Sequence, residues 1–329
     1  MRRRTLLLGL TAAAAGTGVL SACGSDAELG TSQAAPILGS TTASSLGPRS
    51  VTSVYVPVPG VAPAAAFPVG KRVYPDFARG ADRPLPTTVW YPAQGVAPAT
   101  GPAPVDEAAP AGGSFPLILF SHGLTGEPAD YAAMLSRWAQ SGFVVAGPTY
   151  PYTHYDADGF DENDIVNQPA DASSVIDQLL ALDPADPIRA IIDPDRIAAA
   201  GHSAGAITTV GLFSAVRDAR LKAGVVLAGT DFQGALFTGP AAAMLFIHGR
   251  QDTTVTWQAG HTVFEAVPWS RAMLTITDGG HLTEAPDFEA TTQTSTQFLW
   301  YALYGDPTAK AALPTAAATG DVATLENQL

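Results

Sequence analysis

The sequence predicts an α/β fold in which a mostly parallel eight-stranded sheet carries helices on both faces and no large lid. Three observations carry this expectation. Short apolar or alternating runs recur along residues 51–277, and helical periodicity fills most of the gaps between the later ones. The run Leu117-Ile-Leu-Phe120 also lacks polar alternation, as a strand buried on both faces should.

Taken in order, strand signals at Val51–Val58 and Pro86–Tyr91 follow one another without a helix between them, which predicts an antiparallel start. Strands at Pro116–Ser121, Phe143–Ala146, Arg196–Ala200, Ala223–Leu227, Ala243–His248 and Arg271–Thr277 then alternate with helices. Tyr131–Gln140 spaces Met134, Leu135 and Trp138 as a helix does, and Ala172–Leu182 does the same with Val175, Ile176, Leu179 and Leu180. Ala290–Tyr304, with Phe298, Leu299 and Tyr301, supplies the last helix. The longest connection, Tyr150–Pro169, is too short for a substantial lid. Within it His154–Asp164 is dense in oxygen ligands, but Gly159 sits at position four from Asp156 where a calcium loop needs position six. A polar loop on the rim of a cleft is expected instead.

The chain ends divide from this domain by composition. Arg2-Arg3-Arg4 precedes an apolar run from Leu6 to Leu20 and then Leu20-Ser-Ala-Cys23. A basic start, apolar middle and small-residue end make an export signal over residues 1–22. Leu20-Ser-Ala-Cys23, which straddles its end, resembles a bacterial lipobox and implies lipidation of Cys23, and Arg3-Arg4-Thr-Leu-Leu7 resembles a twin-arginine signal. Residues 23–50 read as the lipidated cysteine and a flexible tether, 51–305 as the folded domain, and 306–329 as a partly ordered Ala/Thr-rich tail. The expected location is extracytoplasmic, anchored to the bacterial cell membrane through Cys23. Cys23 is the only cysteine, so the domain must be held by its core, and 47% hydrophobic residues support one. A net charge of −13, or −16 without the three arginines, argues against nucleic acid as a partner. A monomer is expected.

Residues 201–205 read Gly-His-Ser-Ala-Gly, between an apolar strand and Ala206-Ile-Thr-Thr-Val-Gly-Leu-Phe, which has helical character. Strand, tight turn and helix with a serine at the apex form the elbow that lifts a nucleophile above the edge of a parallel sheet. The pentapeptide alone is a weak signal; its partners give it weight. A nucleophilic serine needs a base, an orienting acid and donors for the oxyanion. Met244-Leu-Phe-Ile-His-Gly-Arg-Gln-Asp252 ends a strand in an aspartate, and Ala272-Met-Leu-Thr-Ile-Thr-Asp-Gly-Gly-His281 ends the next in a histidine. Ser203, Asp252 and His281 therefore stand in the order such chemistry uses, with Asp231, after Val225-Val-Leu-Ala-Gly-Thr, as the alternative acid. Backbone N–H groups of Leu124 and Ala204 are the candidate oxyanion donors. Phe232 and Trp257, each just past a strand, are candidates for a substrate wall. No zinc-binding spacing and no phosphate-cradling glycine pattern is present, so neither a metal nor a cofactor is expected.

Ser121-His-Gly-Leu-Thr-Gly, Gly201-His-Ser-Ala-Gly and His248-Gly-Arg-Gln-Asp together resemble the α/β-hydrolase superfamily. With Arg83-Pro-Leu-Pro-Thr-Thr-Val-Trp-Tyr-Pro92 and Gln168-Pro-Ala-Asp-Ala-Ser-Ser-Val-Ile-Asp177, the nearer likeness is to bacterial predicted dienelactone hydrolases and platelet-activating-factor acetylhydrolases, over about residues 70–305. Two departures stand out. Dienelactone hydrolases use a cysteine where this chain has Ser203, and the acetylhydrolase acid lies on the earlier strand, at the place of Asp231. The resemblance implies a carboxylesterase or lipase-like serine hydrolase acting on an ester of a small molecule, lipid or polyester. A cell-envelope acyltransferase using the same triad and a non-catalytic binding lipoprotein are the alternatives.

Overall fold

A computed structural model describes residues 50–232, 234–281 and 287–329. The expected signal peptide, Cys23 and nearly all of the tether lie outside the described residues.

Chain order runs β1 (Val69–Tyr74), β2 (Thr87–Pro92), β3 (Val105–Asp106), β4 (Phe115–Ser121), α1 (Ala132–Gln140), β5 (Val144–Pro148), α2 (Gln168–Leu180), β6 (Ile192–His202) and α3 (Ala204–Phe213). It continues with β7 (Leu221–Leu227), β8 (Ala243–Gly249), α4 (Trp257–Ala266), β9 (Arg271–Ile276), α5 (Asp287–Leu299), α6 (Pro307–Ala317) and β10 (Ala323–Gln328). The strands form one sheet in the order β10-β9-β8-β7-β6-β4-β5-β2-β1-β3. Its centre, from β5 through β4, β6, β7 and β8 to β9, is parallel. β2 runs antiparallel to both β1 and β5, and β10 antiparallel to β9.

Alternation along the central strands feeds two cores. Leu117, Leu119, Ile197, Val226 and Phe246 pack with Val175, Ile176, Val210, Phe213 and Phe264 of α2, α3 and α4. Ile118, Phe120, Val225, Leu245 and Leu274 pack on the other face with Leu135, Trp138, Phe298 and Leu313 of α1, α5 and α6. Every residue of β4 is buried, which explains the unbroken apolar run. The two-faced parallel sheet is thus as expected.

Three expectations change. Among the described residues the sheet has ten strands, not eight. Val51–Val58 is not a strand of it: only a bridge from Ser53 to Trp269 forms, while Val54, Val56 and Val58 face solvent. Prolines at 57 and 59 remove ladder donors, and the segment instead docks through Tyr55, whose N–H donates to Ser270 Oγ (2.9 Å) and whose hydroxyl donates to the Ala302 carbonyl (3.0 Å). The sheet opens at β1, and the segment 306–329 adds α6 and β10 where a partly ordered tail was expected. Asp306 caps α6 by accepting from Thr308 N–H, Pro307 takes the first turn, and Leu313 and Ala317 enter the core.

Candidate active site

The parallel strands end on one edge, and the predicted site residues gather there. Ser203 follows β6 directly and precedes α3 with φ 55° and ψ −119°, a left-handed conformation that a serine adopts only under constraint. Its neighbours supply that constraint. A Cβ at Gly201 would run into the Gly205 backbone, and one at Gly205 into the Ser121 carbonyl of β4, so strand and helix close on the turn only with glycine at both places. The Ser203 N–H donates to Leu227 O at 2.9 Å, tying the apex to β7.

His281 lies in the loop after β9. Its Nε2 is 2.9 Å from Ser203 Oγ and its Nδ1 is 2.8 Å from Asp252 Oδ2. A carboxylate can only accept, so Nδ1 carries the proton and Nε2 is free to accept from the serine hydroxyl. Asp252 follows β8 in a tight turn, and its other oxygen accepts from the N–H groups of Thr254 (2.8 Å) and Val255 (2.9 Å). His248, buried at the end of β8, donates from Nε2 to Val255 O at 2.8 Å and stands 3.4 Å from Asp252 Oδ2. Burial by itself would push the Asp252 carboxyl up. Interactions with His248 and His281, together with the Val255 N–H, outweigh it and hold the group well below the usual carboxylate range. Asp231, after β7, is not the carboxylate on His281 Nδ1.

Leu124 lies past the end of β4 and lines the same cavity as Ser203 and His281. Ala204 opens α3, where the helix dipole favours a negative charge. Among the described residues, neither the Leu124 nor the Ala204 N–H meets a protein acceptor.

The cavity holds about 520 Å³, within the ~300–1,000 Å³ range of small-molecule sites. Tyr131, Met134, Leu227 and Phe288 make it largely apolar; Asp130 adds a carboxylate, and no lysine or arginine lines it among the described residues. Phe232 and Trp257 are absent from this lining. Phe232 is 39% exposed on the loop after β7. Trp257 is held elsewhere by its Nε1–H bond to Thr275 Oγ1 (3.0 Å), between the Arg250 guanidinium and the His261 ring. The Tyr150–Pro169 connection also gives the cavity no residue. It touches the site through Thr153, whose carbonyl accepts from Thr125 N–H, and Gln168 bonded to Thr153 and Thr208 anchors it. Tyr131 and Met134 went unremarked as site residues because in sequence they are ordinary members of a helix, and Phe288 because it lies just before the last helical run.

Two buried histidines flank the site without joining the Ser203 chain. His122 accepts from Tyr150 N–H at Nε2 (3.0 Å) and donates from Nδ1 to Gly123 O (2.8 Å). Burial lowers it to about 4, and it lowers His202 to about 4 as well, so both stay neutral near pH 7.

A parallel sheet wrapped by helices, with a serine elbow after a central strand, is the architecture of the α/β-hydrolase fold. Residues 87–233 match the family model described as Chlorophyllase, a likeness that supports ester hydrolysis on this fold. That match is consistent with the likeness to dienelactone hydrolases and acetylhydrolases; it spans Leu124 and Ser203 and stops short of Asp252 and His281. Comparison with curated proteins returned no match.

Proposed function

We propose that the protein is a serine carboxylic-ester hydrolase working through an acyl-enzyme on Ser203. The observation that carries this reading is the unbroken hydrogen-bond chain from Ser203 Oγ through His281 to Asp252. As Ser203 Oγ bonds to the ester carbonyl carbon, its proton passes to His281 Nε2, and Asp252 stabilises the imidazolium. The carbonyl oxygen takes the negative charge against the N–H groups of Leu124 and Ala204, each worth about 3 kcal/mol in such holes. Collapse breaks the bond to the alcohol, which leaves with the proton from His281. Water then gives a proton to His281, attacks the acyl carbon and frees the acid and Ser203.

The apolar lining, whose described residues carry one carboxylate and no cationic side chain of lysine or arginine, favours uncharged esters with an apolar acyl or alcohol part over anionic ones. With matched nitrophenyl esters, the neutral one should exceed its carboxylate-bearing analogue in kcat/KM by at least about tenfold. Free acid should remain the main product when a competing alcohol is added. Preferential turnover of the anionic ester would overturn the substrate reading, and transfer to the alcohol would make the enzyme an acyltransferase.

We also propose that the mature protein is exported and lipid-anchored at Cys23, on the strength of the Leu20-Ser-Ala-Cys pattern behind a basic and apolar leader. Cys23→Ser should move the protein from the membrane fraction to the soluble one; unchanged fractionation would count against the anchor.

A further inference from the structure

The loop bearing the Leu124 amide and the loop bearing His281 belong to different strands, and three hydrogen bonds join them. Gly123 N–H donates to Tyr131 Oη at 3.1 Å, Tyr131 Oη lies 2.9 Å from His202 Nδ1, and His202 Nε2 lies 2.8 Å from the His281 carbonyl. The directions are forced. A carbonyl only accepts, so His202 carries its proton on Nε2; its Nδ1 then accepts, and Tyr131 must donate. Tyr131 Oη is thereby both acceptor from Gly123 and donor to His202. Each end of this chain stands beside a working atom of the proposed reaction: Gly123 precedes Leu124, His202 precedes Ser203, and the last acceptor is the backbone of His281 itself.

We infer that Tyr131 and His202 are positioning residues, a bridge that sets the oxyanion donor at Leu124 and the base at His281 at a fixed spacing about Ser203. Packing leaves the bridge little room to shift. His202 is 6% exposed, the Tyr131 ring packs on Phe120 with centroids 4.7 Å apart, and the His202 and His281 rings stand 4.9 Å apart. A Cβ at Gly123 would lie 3.0 Å from Tyr131 Oη and 3.2 Å from His202 Nδ1, so glycine is what lets the loop meet the bridge. Because burial holds His202 at about 4, the pattern of donors is kept at neutral pH. Oxyanion donors help only when they stand where the charge develops, so loosening their spacing should weaken the transition state more than substrate binding.

This inference rests on the Ser203 reading, and the test separates the two. Tyr131→Phe keeps the ring and removes only the hydroxyl; His202→Asn can keep one neighbour but cannot span both. Each should lower kcat for a neutral nitrophenyl ester by about tenfold, leave KM within about twofold, and weaken an aryl boronic acid, which forms a tetrahedral anion on the serine, by the same factor as kcat/KM. Affinity for the alcohol product should not change. The double variant should be no worse than the poorer single one, because both cut one bridge. Additive losses, or a lowered melting temperature with boronate affinity intact, would overturn the bridge and leave the Ser203 reading standing. A wild type that neither hydrolyses the ester nor takes up the boronate would sink that reading and the bridge with it.

Discussion

Asp252 and Asp231 both follow strands of the same sheet edge, and only their surroundings separate them. Asp252 is 5% exposed, accepts two backbone N–H bonds and contacts His281 Nδ1. That arrangement fixes both the tautomer and the tilt of the imidazole, which an amide at 252 would not do. Asp252→Asn should therefore lower kcat by about 10³–10⁴-fold, while Asp231→Asn should stay within about threefold of wild type. Steady-state kinetics on the two variants decide it, and the reverse ranking would move the acid to the earlier strand. In sequence Asp252 closes a His-Gly-x-x-Asp turn after β8, and the structure supplies a reason for that spacing. His248 packs beside the carboxylate, and a Cβ at Gly249 would strike the Gly279 and Gly280 carbonyls of the loop that carries His281. Tyr131 and His202 were not legible in the same way: a helix-start tyrosine and an elbow histidine look like packing until the fold brings them together.

At the scale of elements, the strands and helices that hold the elbow were readable because their apolar patterns are long and consistent. The errors fell where pattern and pairing part company. Val51–Val58 alternates as a strand does, yet its prolines and exposed valines leave it an extended arm. β1 was missed because Gly70, Lys71 and Arg72 interrupt its apolar character; Lys71 instead pairs with Asp106 (3.1 Å), and Gly70 accommodates the Tyr91 ring. β10 is mostly exposed and polar, so only its antiparallel pairing with β9 reveals it. The turns at the ends of β4 and β6 carry a consequence for stability. His122 and His202 sit there at about 4, below their ordinary 6.5. The unfolded chain then binds the extra protons first. Stability from each is fully present above pH 6.5, declines as pH falls below that value and is lost through about 4, at a cost of up to about 3 kcal/mol per histidine. The depressed Asp252 carboxyl adds a loss of the same sign at still lower pH. Urea unfolding between pH 7 and pH 4 should show this decline, with a shallower slope in His122→Gln; a flat profile from pH 7 to 5 would contradict it.

Across the whole molecule, one geometric fact organises the chemistry. Parallel strands deliver their C-terminal ends to a single edge, so residues separated by 29 and 78 positions in sequence meet within hydrogen-bond distance at His281. The order of serine, aspartate and histidine is legible in the sequence alone, because each follows its own strand. The cavity could not, since Tyr131, Met134 and Phe288 reach it from α1, α5 and the turn before α1 on a face that only packing defines. The proposed roles of His281, Asp252 and the Leu124 and Ala204 amides all depend on Ser203 being the nucleophile. The most direct measurement is covalent labelling of the purified protein with a fluorophosphonate, followed by peptide mapping. One adduct per chain, on Ser203 and absent from Ser203→Ala, is the predicted result; a folded wild type that takes no label, or a label mapped to another serine, would contradict it.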